Sequence, residues 1–529
     1  VRESGGEAVK LWRIFAVLLP LLACRLAAPV QPDPTPIPSL TEAPAPTGAP
    51  TSARPASSVP APALFDIAWN DRSPFRAGLA ASARTALDDS PGMSVYHLDL
   101  VVADDLGSVT GKEEVLYTNT EAQPLNEVQF RLFPNLLGGA LTMSSVSVNT
   151  AAVEPSYEMK SSVLSVPFPA ALQPGEQAVI SVDFRVNLPT SVDQNYGVLA
   201  DAGGVLAYAH GYPVIVVFDD SGWNAEIPPE WGDLTFADAS YYLVRITAPE
   251  DLQIATSGSE ISREEKAGRQ EIVVAAGPAR DFQFSASPGY KVTSRTSGEV
   301  TLRAFAPPGF GPRVTLTLDA AEDALGDFAK RYGTYPYTEL DFAVTPTYAL
   351  GIEYPGLIVL NQQMFTPEQD LRVGPEETWL ESTVAHEVAH QWFYNLVGND
   401  QLDQPWLDES LAQFATWEYF RDGPGSEAAQ GFEDSLEGRW SRVGREAIPL
   451  GLPVRDYEPT AYGAIIYGRG PLFLEALRSR MGDESFDRFM RDYVAANTWK
   501  IATTEGFRTL AERDCECDLG PLFEQWVYP

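Results

Sequence analysis

The chain has 529 residues, 44% hydrophobic and 11% aromatic, which is too long for one ordinary core and points to two or three domains. Its 72 acidic and 37 basic side chains give a formal charge of -35, which argues against direct electrostatic binding to nucleic acid or to an anionic membrane surface. Three cysteines, Cys24, Cys515 and Cys517, make neither a disulfide framework nor a cysteine-type zinc site.

Lys10 and Arg13 precede an apolar run from Ile14 to Ala23, too short to span a bilayer as a helix and laid out like a secretion signal. The run ends in Leu21-Leu22-Ala23-Cys24, which resembles the lipobox of bacterial lipoproteins. That resemblance implies lipidation of Cys24, a membrane anchor and an extracytoplasmic location for the mature protein. An ordinary signal peptide is the other reading. Residues 25–92 then read as a linker, because 29–63 are mostly Pro, Ala, Ser and Thr and cannot bury enough apolar surface to fold.

From residue 93 to about 289 the pattern is that of strands. Ile180, Val182, Phe184, Val186 and Leu188 alternate with polar residues, and Tyr242, Val244 and Ile246 do the same. Segments 95–103, 111–119 and 125–133 also read as strands, giving an all-β domain. Beyond residue 290 helices enter. Val314, Leu318, Ala321, Leu325, Phe328 and Tyr332 recur at helical spacing and Gly333 closes that helix. Further helices are expected from about 375 to 397, from 407 to 420, and over 470–482, 484–496 and 504–513. The second region, 290–529, is therefore α+β with a mostly helical second half. Cys515 and Cys517 near its end are free, joined to each other, or joined between chains.

The helix expected over 375–397 carries His386-Glu387-Val388-Ala389-His390. Residues four apart share a helix face, so the two imidazoles can hold one metal ion, with Glu387 beside them to act on a water. A catalytic zinc takes three protein ligands and keeps one position open. Glu409, at the start of the next helix, is the candidate third ligand. Half of the four histidines in the chain form this pair. His97 and His210 are isolated and read as structural.

HEVAHQWFYNLVG followed by PWLDESLA resembles the zinc signature of the aminopeptidase N family of gluzincins. Gly351-Ile352-Glu353-Tyr354-Pro355 is similar to that family's exopeptidase motif, and the segment from Tyr462 to Gly470 to its catalytic tyrosine segment. Tyr335-Pro336-Tyr337 and Arg131-Leu132-Phe133-Pro134-Asn135 extend the likeness over about 93–529. The resemblance implies a saddle-like β-sandwich domain on a thermolysin-like catalytic domain. It also implies one Zn2+, and peptide substrates with a free N-terminus. It makes His386, His390 and Glu409 ligands, Glu387 the general base and Tyr467 the oxyanion donor, with Tyr462 in reserve. Glu353, with Gly351 and Ile352, would bind the substrate at its amine.

Three departures stand out. Ile352 replaces methionine, which reshapes the first specificity pocket. The Pro-Cys-x-Asp-Glu segment that supplies a second amine anchor has no match, although Asp219, Asp220 and Glu226 stand near its place. No helical domain follows the catalytic one in this sequence. Two other readings use the same residues: a zinc endopeptidase or dipeptidase, and a catalytically inactive peptide-binding protein.

Overall fold

A computed structural model describes residues 64–90, 92–366, 376–423 and 426–529. The signal segment with Cys24, and the linker as far as residue 63, lie outside them. The first domain is built from three main sheets and a two-stranded hairpin, Phe218–Asp219 with Gly222–Trp223. The largest has eight strands in the spatial order Ser259–Lys266, Arg269–Ala279, Ser240–Pro249, Val95–Val102, Ser108–Thr118, Gln177–Asn187, Ala140–Val148 and Ala151–Ala152. Two four-stranded sheets pack against it, and the apolar faces of all three share one core containing Leu98, Val115, Phe130, Val182, Tyr208, Tyr242 and Phe284. The period-two alternation read over 180–188 is the observed burial pattern of Gln177–Asn187.

The second domain opens on a five-stranded sheet ordered Lys291–Ser297, Val300–Ala306, Glu339–Thr345, Leu357–Asn361 and Gly351–Tyr354. Gly351–Tyr354 is an edge strand, antiparallel to Leu357–Asn361, with Gly351 opposite Leu360 and Glu353 opposite Ile358. Helices then dominate: α1 (Gly311–Tyr332), α2 (Glu376–Ala389), α3 (Glu409–Asp422), α4 (Ser426–Ser441), α5 (Pro459–Ala464), α6 (Gly470–Met481), α7 (Asp483–Asn497), α8 (Thr504–Cys515) and α9 (Gly520–Trp526). A single apolar cluster runs through them and the face of the sheet, centred on Phe328, Trp392, Trp406, Phe414, Phe473 and Phe507. Cys515 and Cys517 are joined to each other at the end of α8.

Two expectations need correction. The linker assigned to 25–92 ends early, because residues 64–90 are folded. Leu64, Phe75, Leu79 and Leu87 bury against Val95, Tyr241, Leu243 and Val273, and Trp69 stacks on His97 at 4.2 Å. These large side chains, absent from 29–63, give the segment a core to join. The same segment also touches the second domain: Leu79 bridges Tyr337, and the Ala80 amide donates to the Pro336 carbonyl at 2.8 Å. The helix expected to reach Val397 stops at Ala389. Beyond it the backbone reverses through Tyr394 (φ 136°), and Val397–Gly398 pairs in parallel with Lys500–Ile501. Arg280, from the first domain and only 1% exposed, fixes this reversal. Its guanidinium donates to the carbonyls of Tyr394 (2.6 Å), Leu396 (3.1 Å), Lys500 (2.6 Å) and Ala237 (3.1 Å).

Glu113 lies at the centre of the β-domain core, fully buried, with no hydrogen-bond partner on either carboxylate oxygen. Burial pushes its pKa well above the ordinary carboxylate value. The folded state therefore holds a proton that the unfolded chain has already released. This contribution is complete below the unfolded pKa of about 4.3 and is lost as pH rises toward the folded value, at about 1.4 kcal/mol per pH unit. Glu113→Gln, which stays neutral, is expected to melt higher than the parent at neutral pH. The gap should widen between roughly pH 5 and roughly pH 7 in a thermal-melt series. Parallel curves for the two proteins would contradict this account.

Candidate active site

Asp408 caps α3, accepting the Glu409 amide at 2.8 Å, and so aims Glu409 from the first helical turn at the end of α2. His390 sits one residue beyond α2 but keeps the helical register, its amide 3.3 Å from the His386 carbonyl. The two Nε2 atoms lie 3.2 Å apart, and Glu409 Oε2 is 3.1 Å from His386 and 3.4 Å from His390. His390 Nδ1 donates to the Phe393 carbonyl at 2.9 Å, which fixes the tautomer and turns the Nε2 lone pair toward the cluster. The three ligand atoms converge within 4.8 Å of one another, as one small cation requires. These residues fit a tetrahedral zinc with one position left for water or substrate.

A second constellation shares His390. Glu353, Glu387 and His390 also converge within 4.8 Å. Gly351 and Glu353 occupy the same face of the edge strand, the face turned to α2, while Ile352 points the other way and packs on the β-domain core. Gly351 is needed for close approach: a Cβ there would stand 2.3 Å from Glu387 Oε1 and 2.4 Å from its Cγ. Glu353 is 8% exposed, and its nearest donor is Gln401 Nε2 at 3.5 Å. Gln401 is itself held by Asp408 (2.8 Å) and by Thr235 of the first domain (2.6 Å).

Tyr467 lies in a π-helical turn, Ile465–Arg469, inserted between α5 and α6. Such turns displace one residue from the regular ladder and recur at functional sites. Ser410 on α3 donates to the Ile466 carbonyl at 2.6 Å, tying the turn to the ligand helix. The Tyr467 phenol donates to Glu409 Oε1, and its ring centre is 6.2 Å from that of His386. Tyr462 stands behind it, ring to ring at 6.0 Å, farther from the ligands.

The electrostatics are lopsided. Burial, reinforced by the Glu353 charge, raises the Glu387 pKa well above the usual range. Burial likewise raises Glu353 and lifts Asp408 to about 7. Burial opposes charge on His390, but Glu353, Glu409 and Glu387 outweigh it and raise its pKa well above the ordinary imidazole value. Burial also works against Glu409, yet the hydrogen bonds from both histidines keep it ionised. A site whose acids pull a histidine this way is short of positive charge.

Of the acids expected to stand in for a second amine anchor, Asp219 is engaged by Ser221 and Asn224, and Glu226 is paired with Arg455 at 2.7 Å. Neither joins the Glu353 cluster. Asp233, on the same β-domain loop, is coupled electrostatically to Glu353, Glu409 and Asp408, and its Oδ2 lacks a hydrogen-bond partner. Sequence reading passed over it because the stretch from 224 to 239 carries no regular secondary structure and no periodicity.

Residues 316–526 match the peptidase family M1 domain. The helical region that carries the histidine pair is thus similar to a peptidase family M1 domain. Among curated relatives, the chain is 25% identical over 247 residues to an aminopeptidase N of Haemophilus influenzae, and 24% identical over 234 residues to aminopeptidase M1-B of Oryza sativa. These alignments cover 45% and 43% of this chain but only 28% and 26% of the relatives. Among solved structures, an M1 zinc metallopeptidase from Deinococcus radiodurans superposes with a TM-score of 0.61 at 20% identity, covering 83% of this chain and 93% of that one. Another, a two-domain M1 zinc metallopeptidase variant bound to L-arginine, superposes with a TM-score of 0.61 at 19% identity, covering 83% of this chain and 95% of that one. The β domain and the helical domain together therefore share the fold of these two-domain metallopeptidases.

Because the Glu387 carboxylate fills the space above Gly351, Gly351→Ala should force it away from the ligands. The expected result is a fall in kcat of about a hundredfold with zinc content unchanged, measured by single-substrate kinetics beside metal analysis. A variant within a few-fold of the parent would show that Glu387 tolerates the displacement.

Proposed function

We propose that this chain is a zinc-dependent aminopeptidase that removes the first residue of peptides. The observation that supports this most is the buried carboxylate of Glu353, aligned with Glu387 and His390 and given only one distant donor. A carboxylate in that position offers charge to a free α-amine, so a peptide entering the cleft stops with its first bond at the ligands. Asp233 adds a second carboxylate to the same end.

His386, His390 and Glu409 would hold the zinc, which supplies Lewis acidity toward the scissile carbonyl and acidifies water. Glu387, whose Oε2 has no protein partner, accepts the water's proton and returns it to the leaving amine. Its raised pKa suits both halves of that task. Tyr467 turns its phenolic proton from Glu409 to the oxyanion that forms at the carbonyl. The apolar run and Pro-rich tract that precede the folded residues support a lipid anchor at Cys24 and action outside the cytoplasm, on peptides that reach the cell surface.

A panel of aminoacyl-coumarins, each with free and acetylated amine, tests the reading. Hydrolysis confined to free amines, and lost in Glu387→Ala and Glu353→Ala with zinc retained, is the expected outcome. Cleavage of the blocked substrates alone would overturn the exopeptidase assignment. Tyr467→Phe should lose about a hundred- to a thousandfold in kcat with little change in KM, as expected for a donor used only in the transition state.

A further inference from the structure

The nearest side-chain donor to Glu353 is the Gln401 amide, at 3.5 Å. A carboxylate held this loosely keeps most of its lone pairs for a substrate, so what holds it depends on what holds Gln401. That side chain is 1% exposed and fixed at both ends. Its Nε2 donates to Asp408 at 2.8 Å, and its Oε1 accepts from the Thr235 hydroxyl at 2.6 Å. Ionised carboxylates only accept, so the amide turns its nitrogen to Asp408 and Glu353 and its oxygen to Thr235. The Tyr394 phenol stands 3.5 Å behind the Thr235 hydroxyl, on a backbone at φ 136° that a residue with a side chain adopts only under constraint. Arg280 supplies that constraint, donating to the Tyr394 carbonyl at 2.6 Å.

Thr235 belongs to the first domain. The β-domain segment 224–235 grips the stretch Asp400–Asp403 of the second domain three times. Asn224 donates to Asp400 at 3.0 Å, Thr235 donates to Gln401, and Glu226 shares Arg455 with Asp403 at 2.7 and 2.6 Å. Asp400 stiffens the stretch by accepting the amides of Leu402 (2.9 Å) and Asp403 (3.0 Å). The Arg455 pairs are open to solvent and the Asn224 bond is half-buried, whereas the Thr235 bond is buried and leads on to Glu353. Surface pairs contribute little, while a buried amide oxygen that loses its donor has no water to replace it.

We propose that Thr235 and Gln401 are positioning residues for recognition of the substrate's α-amine: Thr235 holds the Gln401 amide, and Gln401 holds Glu353 where the amine arrives. The proposal rests on the aminopeptidase reading, which places the amine at Glu353. It makes amine recognition a property of the docked pair of domains, since the donor to Gln401 Oε1 comes from across the seam. Zinc binding is left to His386, His390 and Glu409, so the two tasks can be separated by experiment.

The probes are leucinamide and its des-amino counterpart, which differ in the α-amine alone, used as competitive inhibitors of alanyl-coumarin hydrolysis by the zinc-loaded enzyme. Wild type should bind leucinamide about a hundredfold more tightly than the des-amino compound. Thr235→Val keeps the side-chain volume and removes the hydroxyl. There the preference should fall to about tenfold or less, with KM for alanyl-coumarin rising more than kcat falls. Gln401→Leu should act in the same direction, and Thr235→Ser should keep the wild-type preference. Zinc content and melting temperature are followed in each variant, and if either Thr235→Val or Gln401→Leu does not fold, the other decides. A role in packing alone would weaken both probes together, so equal weakening of the two overturns the proposal. A wild type that binds both probes equally would remove the aminopeptidase reading and this proposal with it. A wild-type preference that persists in the folded, zinc-replete variants would remove this proposal alone.

Discussion

The catalytic half is organised around an imbalance of buried charge. Asp233, Glu353, Glu387, Asp408 and Glu409 crowd two imidazoles, and each loses hydration on folding. Such a cluster is tolerated only when cations share it. The acids raise the His390 pKa well above the ordinary value, and a bound cation would relieve the same imbalance. The neighbouring details follow from this constraint. Gln401 spreads its amide over Asp408 and Glu353, the α3 cap absorbs an Asp408 oxygen, and Gly351 leaves room for a carboxylate that has nowhere else to go.

The β domain takes part in this balance as well as supporting it. Arg280 reaches across the domain boundary and gathers the carbonyls that emerge where the chain turns back after α2. By fixing that reversal it fixes where His390 sits relative to His386. Thr235, from the loop before the Ser240–Pro249 strand, bonds Gln401 beside Glu353, and Asp233 on the same loop is coupled electrostatically to Glu353 and Glu409. The two domains therefore hold one site between them.

Much of this was legible in the residues. The HExxH spacing and the later glutamate were sufficient to anticipate that His386, His390 and Glu409 converge with Glu387 beside them, because helix geometry converts spacing into position. The strand alternation over 177–187 was equally plain. What escaped depended on tertiary partners. The stop of α2 at Ala389 has no local breaker in sequence; a distant arginine imposes it. The π turn that presents Tyr467 is set by packing on Ser410. Helix α4, whose Ser426–Ser441 span mixes polar and apolar residues without a clean stripe, went unread. Asp233 sits in a stretch whose conformation is dictated entirely by what it touches.

The folded segment before the first strand bears on how the molecule is assembled. Its residues 77–80 hydrogen-bond to 336–338, partners up to 261 positions later in the chain. During synthesis this early segment must wait, docked on the β domain alone, until the first strands of the next domain have been made. Once Tyr337 arrives, the stretch closes like a clasp over the seam. A tether attached ahead of residue 64 would then pull on both halves of the molecule together, loading the seam along its length rather than peeling back the edge of one sheet.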